Sequence, residues 1–108
     1  MTVRELAEAA GLKAAALPDG DRPVAGVYVG DLLSWVMGRA AAGDAWITIM
    51  SNSNIVAVAA LADTACIVLA EGVQPDDGVA ELAGQKGINL LLSPVGAYET
   101  ALRLHAQL

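Results

Sequence analysis

The sequence predicts an α/β fold, a single domain over residues 1–108 with a parallel four-stranded sheet flanked by helices. Three observations carry that expectation. Four short runs, Val24 to Val29, Ala45 to Met50, Ala65 to Leu69 and Ile88 to Leu92, are aliphatic and lack polar alternation. Such strands are covered on both faces, as in parallel sheets. Helix-forming stretches separate the runs, so the order from Val24 reads β-α-β-α-β-α-β-α. Finally, 56% hydrophobic against 17% charged residues in 108 positions supplies apolar side chains for one core and excludes a solvated, disordered chain.

Each element has a local reason. Thr2-Val3-Arg4-Glu5 has the Thr-x-x-Glu form of a capping box, opening a helix to about Ala10 that Gly11 stops. Leu17 to Pro23 is dense in Pro, Gly and Asp and reads as the longest irregular connection. After the Val24 strand, Asp31 is placed to cap a helix whose Leu32, Leu33, Trp35, Val36 and Met37 form an apolar stripe ending near Gly38. Gly43-Asp44 turns the chain into the Ala45 strand. Ser51 to Asn54 is a polar loop, with Ser53 or Asn54 as cap, and Ile55 to Leu61 is a helix apolar on every side, which has to be covered on most of them. After the Ala65 strand come Gly72 and Pro75-Asp76-Asp77, a helix start, with the helix ending near Gly87. Ser93-Pro94 then places an N-cap and a first-position proline before a terminal helix through Leu108.

Composition narrows function by exclusion. Twelve acidic residues against six basic ones give a formal charge of -6, which opposes binding to nucleic acid or anionic lipid. The longest purely apolar run, Ile55 to Ala62, is far short of the roughly 20 residues of a membrane helix, and nothing after Met1 has the form of a signal peptide, so a soluble cytoplasmic protein is expected. The sequence contains neither Gly-x-x-x-x-Gly-Lys-Ser/Thr nor Gly-x-Gly-x-x-Gly. One cysteine and one histidine supply no zinc set and no nucleophilic triad, so no catalytic residue, metal or cofactor is assigned. Cys66, inside an apolar strand, reads as a packed thiol, and His105 as a packing or surface residue on the last helix.

The most suggestive polar cluster is Ser51-Asn52-Ser53-Asn54. It follows a buried strand, where open α/β sheets bind ligands beyond their carboxyl ends. Two readings stand: a helix cap alone, or a cap that also holds a ligand. The loops expected after the first three core strands together form a candidate rim of Gly30, Asp31, Ser51, Asn52, Ser53, Asn54 and Gly72. The ligand that fits such a rim is anionic or nucleotide-like.

The stretches Tyr28-Val29-Gly30-Asp31-Leu32-Leu33-Ser34, Val36-Met37-Gly38, Gly43-Asp44, Trp46-Ile47-Thr48-Ile49 and Asn54 to Ala59 resemble small stand-alone proteins of the DRTGG domain family. Ser51-Asn52-Ser53 stands where that family's name has Asp-Arg-Thr, and Glu71-Gly72 where it has Gly-Gly. Such domains are similar to the N-terminal domain of HPr kinase/phosphorylase, and occur as inserts in some phosphotransacetylases and in pyrophosphatases that carry CBS domains. The resemblance implies a parallel four-stranded α/β domain and a regulatory or dimer-forming role linked to energy, phosphate or redox metabolism. The kinase P-loop of those enzymes lies in a separate domain.

The leading expectation is therefore a noncatalytic regulatory or ligand-binding module acting as a homodimer. The competing ones are an adaptor docking on a protein partner such as an iron-only hydrogenase system, and an HPr serine kinase-related phosphotransfer enzyme. The apolar excess, with Ile55 to Leu61 at its centre, motivates the dimer.

Overall fold

The computed structural model describes residues 1–108. In chain order they form α1 (Val3–Ala10), β1 (Lys13–Ala16), β2 (Gly26–Val29), α2 (Leu33–Arg39), β3 (Asp44–Thr48), α3 (Asn54–Ala62), β4 (Cys66–Leu69), α4 (Val79–Gln85), β5 (Leu90–Leu92) and α5 (Ala97–Gln107). The sheet order is β1-β5-β4-β3-β2. Strands β2 to β5 are parallel throughout, which is the four-stranded core expected from the apolar runs. The sheet as a whole is mixed and five-stranded, because β1 adds antiparallel to β5. Lys13-Ala14-Ala15-Ala16 has no β-branched residue and carries no strand signal of its own. Its extended form comes from pairing with the otherwise free edge of β5.

Alternation along the strands builds two cores. Ala45 and Ile47, Cys66 and Val68, and Leu91 face one side, where α1 supplies Val3, Leu6, Ala7 and Ala10 and α5 supplies Leu104. Trp46, Ile67, Leu69, Leu90 and Leu92 face the other, against Val36 of α2, four residues of α3, and Val79 and Ala83 of α4. The layers are thus α1 and α5, the sheet, then α2, α3 and α4. Fully buried Trp46 is the largest side chain in the molecule's interior, and its Nε1–H donates to the Gly30 carbonyl at 2.8 Å, so its one polar atom is satisfied. Helix α3 lies between α2 and α4 but is covered less than its composition predicts: Ala57, Ala60 and Leu61 face solvent. Two of those three are alanines, whose exposure forfeits little apolar area.

Several helix starts differ from their sequence expectation. The capping box of α1 is present, with Thr2 N–H donating to Glu5 Oε1 at 2.9 Å and Glu5 N–H to Thr2 Oγ1 at 3.2 Å. The Thr2 N–H holds the Glu5 carboxyl below its ordinary pKa, since the ionised form is the better acceptor. Helix α4 begins at Val79 rather than at Pro75, and α5 begins at Ala97 rather than at Pro94. Ser93 still accepts from Val95 N–H at 3.4 Å, but its closer partner is Thr100 Oγ1 at 2.7 Å, both residues buried, so the hydroxyl ties α5 to the end of β5 and the helix starts later.

The connection from Leu17 to Pro23 is irregular, as expected, and a buried amide holds it. Asn89, 1% exposed, accepts from Asp19 N–H at 2.9 Å, and its amide donates to the carbonyls of Asp19 at 2.8 Å and Ala65 at 2.9 Å. Arg22 reaches Asp63 Oδ1 at 2.8 Å and its carbonyl at 2.7 Å, and this guanidinium holds the Asp63 carboxyl below its ordinary pKa. Asn89→Ala would leave the Asp19 and Ala65 groups without these partners. We expect a loss of about 2 kcal/mol in urea denaturation, together with faster proteolysis between Leu17 and Pro23.

Candidate functional site

Parallel strands bring the carboxyl ends of β2, β3, β4 and β5 to one edge, so the loops of the sequence-derived rim do share a side of the sheet. Three of their polar side chains, Asp31, Ser51 and Asn52, are committed to partners within the fold. Asp31 does not cap α2, whose N-cap position is Leu32 without a side-chain bond. Its Oδ1 instead accepts from Thr48 Oγ1 at 2.8 Å and Ile49 N–H at 3.0 Å, bracing the end of β3. Gly30 accepts from Trp46, and a Cβ at Gly30 would stand 2.9 Å from the Tyr28 ring. Ser51 Oγ donates to Asp76 Oδ1 at 2.8 Å, joining the β3 and β4 loops. Neither Ser53 nor Asn54 caps α3 through its side chain; Asn52 Oδ1 accepts from Asn54 N–H at 2.9 Å, so the cap belongs to Asn52.

The cavity at this edge lies farther along, at the ends of β4 and β5. Its volume is about 230 Å³, and its walls are Gly11, Lys13, Gly72, Gln74, Leu92, Ser93 and Pro94. Gly72 is the one rim residue that lines it. The cavity has a topological cause. The chain leaves β4 toward α4 on one face and leaves β5 toward α5 on the other, so adjacent loops diverge and a crevice opens between them. After β2, β3 and β4 the helices all go to the same face, and the loops close over one another.

Backbone bonds fix the mouth of the crevice. Ser93 N–H donates to Leu69 O at 2.7 Å, Gly72 N–H to Ser93 O at 3.0 Å and Glu71 N–H to Val95 O at 2.7 Å. Glu71 and Gly72 are both left-handed, with φ of 63° and 70°. That conformation is easy for Gly72 and strained for Glu71. It turns the Glu71 carboxylate onto the start of α5, where Oε2 accepts from Ala97 N–H at 2.8 Å. Gly96 permits the approach, since a Cβ there would meet that oxygen at 3.1 Å. The acid that would oppose an anion in the cavity is therefore bound to a helix N-terminus, where its charge is favourable.

One cation, Lys13, stands in the remaining wall. Lys13 is exposed at the mouth and makes no ion pair. Arg103 approaches Gly11 closely enough that a Cβ there would lie 3.5 Å from Nη1, and it is held by Glu99 at 3.6 Å. Lysine, a glutamine amide and glycine backbone around apolar Leu92 and Pro94 give the wall hydrogen-bond donors and one positive charge beside an apolar patch. Sequence reasoning missed Lys13 and Gln74. Lys13 belongs to the strand that composition does not announce, and Gln74 to a loop chosen only for its glycine.

Cys66 is buried away from this edge, and burial pushes its thiol up to about 12. The neutral thiol is inert, as its apolar strand predicts.

A family model described as the DRTGG domain matches residues 7–107. No curated protein matches the chain. A solved structure with the same fold is that of the CBS and DRTGG domains of the regulatory region of Clostridium perfringens pyrophosphatase, complexed with the activator diadenosine tetraphosphate. The TM-score is 0.72 at 14% identity, over 95% of this chain and 45% of that one. The present chain thus spans less than half the length of that neighbour.

Two predictions follow from these side chains. Glu71→Ala removes the α5 cap while keeping the backbone strain, and should cost about 1 kcal/mol in urea denaturation; Glu71→Gly also removes the strain and should cost less. For Cys66 the folded thiol keeps its proton up to about 12, whereas the unfolded one releases it near about 8.5. Above that lower value the unfolded state binds fewer protons, so this contribution to stability falls as pH rises toward the folded value. Cys66→Ala should flatten that part of the stability profile, and thiol reagents at pH about 8 should label the wild type only on unfolding.

Proposed function

Because the chain belongs to the DRTGG domain family, we propose that it is a noncatalytic regulatory module of the cytoplasm that binds a small anionic or nucleotide-like ligand and works as a homodimer. One observation carries the ligand reading. The crevice between the diverging β4 and β5 loops holds an unpaired lysine, and the nearest acid, Glu71, is tied to α5. Support comes from the structural neighbour, a regulatory region complexed with a dinucleotide polyphosphate activator. A cavity of about 230 Å³ suits a phosphate or carboxylate group with a short apolar body, or one end of a nucleotide. Ser51, Asn52 and the rest of the β2 and β3 rim serve in this reading as the brace of the edge.

No helix is long and apolar enough to cross a membrane. The free side-chain groups of the cavity wall are one amine and one amide, which recognise an anion by charge and hydrogen bonds, while the Ser93 hydroxyl is paired with Thr100.

A thermal-shift panel of nucleotides, inorganic phosphate and small carboxylates tests the proposal. A ligand at 100 times its Kd stabilises the fold by about 2.7 kcal/mol. Lys13→Met keeps the stem and removes the charge, and should weaken binding at least tenfold with unchanged stability in the absence of ligand. Asn52→Ala should leave affinity as it is. Equal affinity in Lys13→Met, or loss in Asn52→Ala with the fold intact, would return the site to the β3 loop. Purified protein should show no ATP turnover above a buffer blank; turnover that a substitution in this chain abolishes would contradict the noncatalytic reading.

A further inference from the structure

The two edges of the sheet differ in how they are finished. Edge strand β1 begins with Lys13, and its register shifts between Ala14 and Ala16. A charge and a bulge both discourage pairing with another strand. At the opposite edge β2 is Gly26-Val27-Tyr28-Val29, with no charge and no proline, and its register against β3 is unbroken. It pairs on one side only. Such an edge is a template for a further strand.

Exposed apolar side chains gather along that same edge. Ala97 and Ala101 of α5 pack toward the sheet, and Arg103 turns to α1, where it donates to the Ala10 carbonyl. Tyr98 and Leu102, four residues apart, therefore lie on the flank away from α1, beside β2, which α5 touches. They are 78% and 48% exposed, and Val29 at the end of β2 is 52% exposed. On the other face Leu32 and Trp35, three residues apart at α2, are 54% and 51% exposed, and the Arg39 guanidinium stacks 3.8 Å from the Trp35 ring centroid. Around α3, where composition placed the apolar excess, Leu61 is the one large side chain left in solvent.

We propose that β2 pairs antiparallel with β2 of a second copy of this chain, about a two-fold axis perpendicular to the sheet. That operation keeps the layers in register: α5 meets α5 on one face, α2 meets α2 on the other, and the sheet runs through both protomers. The contact is isologous, so the apolar stripe of each helix meets its own copy. Large exposed apolar side chains from three parts of the chain would meet there, Val29 of β2, Leu32 and Trp35 at α2, and Tyr98 and Leu102 of α5. Charge favours a second copy on this stripe, because none of these five residues is a carboxylate that two chains of net charge -6 would bring into opposition.

The inference rests on the homodimer reading above and assigns its surface. Sedimentation velocity at micromolar concentrations, with the full chain and the variants Val29→Lys, Tyr98→Glu and Leu61→Glu, tests both. The wild type and Leu61→Glu should sediment as dimers, and both other variants should dissociate at least tenfold more readily. Tyr98 is mostly in solvent, so its replacement leaves the fold intact by circular dichroism. A dimeric wild type whose Val29→Lys and Tyr98→Glu variants dimerise equally well overturns the β2 surface and leaves the homodimer standing. A monomeric wild type overturns both.

Discussion

Every connection from β2 to β5 carries its helix across the same face of the sheet, and the strands consequently lie side by side in sequence order. Right-handed βαβ crossovers leave no other arrangement when each new strand is added beyond the last. One face of an apolar sheet is then covered by α2, α3 and α4, while the other receives no crossover helix at all. Bare, that face would present Ile47, Cys66, Val68 and Leu91 to water. The chain ends supply the cover, α1 from before the sheet and α5 from after it. The tight alternation of Ala45, Ile47, Cys66 and Val68 against Trp46, Ile67 and Leu69 is the sequence form of this two-sided demand.

The same winding rule explains where a cavity can and cannot exist. Loops that all leave toward one face stack on one another, and their polar groups become each other's partners, as Asp31 does with Thr48 and Ser51 with Asp76. Only where α5 turns to the opposite face does the edge part. The acidic surface of the chain makes that location consequential. Lys13 enters the edge from β1, beyond the crossover units, and Glu71 is tied to α5, so the crevice wall carries an amine and no carboxylate. At an exposed rim the charge of that amine acts over about a Debye length of 8 to 10 Å.

Much of the architecture was legible because apolar demand is local. Strands β3, β4 and β5 each show an aliphatic run, and the capping box marks α1 without tertiary help. Failures fall where a residue's partner is distant in sequence. Asp31 looks like a cap until β3 offers Thr48, and Ser51 looks like part of a cap until Asp76 accepts its hydroxyl. Strand β1 is alanine-rich and is extended only because β5 lies beside it. Asn89, a lone amide before a short strand, gives no local sign that it binds a loop seventy positions away. Parallel pairing alone brings the rim loops to one edge, but where along that edge a crevice opens depends on which face α5 covers. No periodicity within α5 records that choice, since an amphipathic helix fits either face equally well.

Helix α5 joins the two surfaces of interest. Its first turn is held by Glu71 and by the Ser93–Thr100 hydroxyl pair at the wall of the crevice, and its flank carries Tyr98 and Leu102 beside β2. Eleven residues make a rod of about 16 Å, long enough to cross the sheet and too short to bend appreciably. A ligand bound in the crevice as proposed would press on an element that also shapes the β2 edge proposed for pairing, and by linkage pairing there would act back on the crevice with the same coupling energy. On that proposal regulation requires no moving domain. It requires that the two-sided cover of the sheet, which α5 completes, be the part that both ligand and partner would touch.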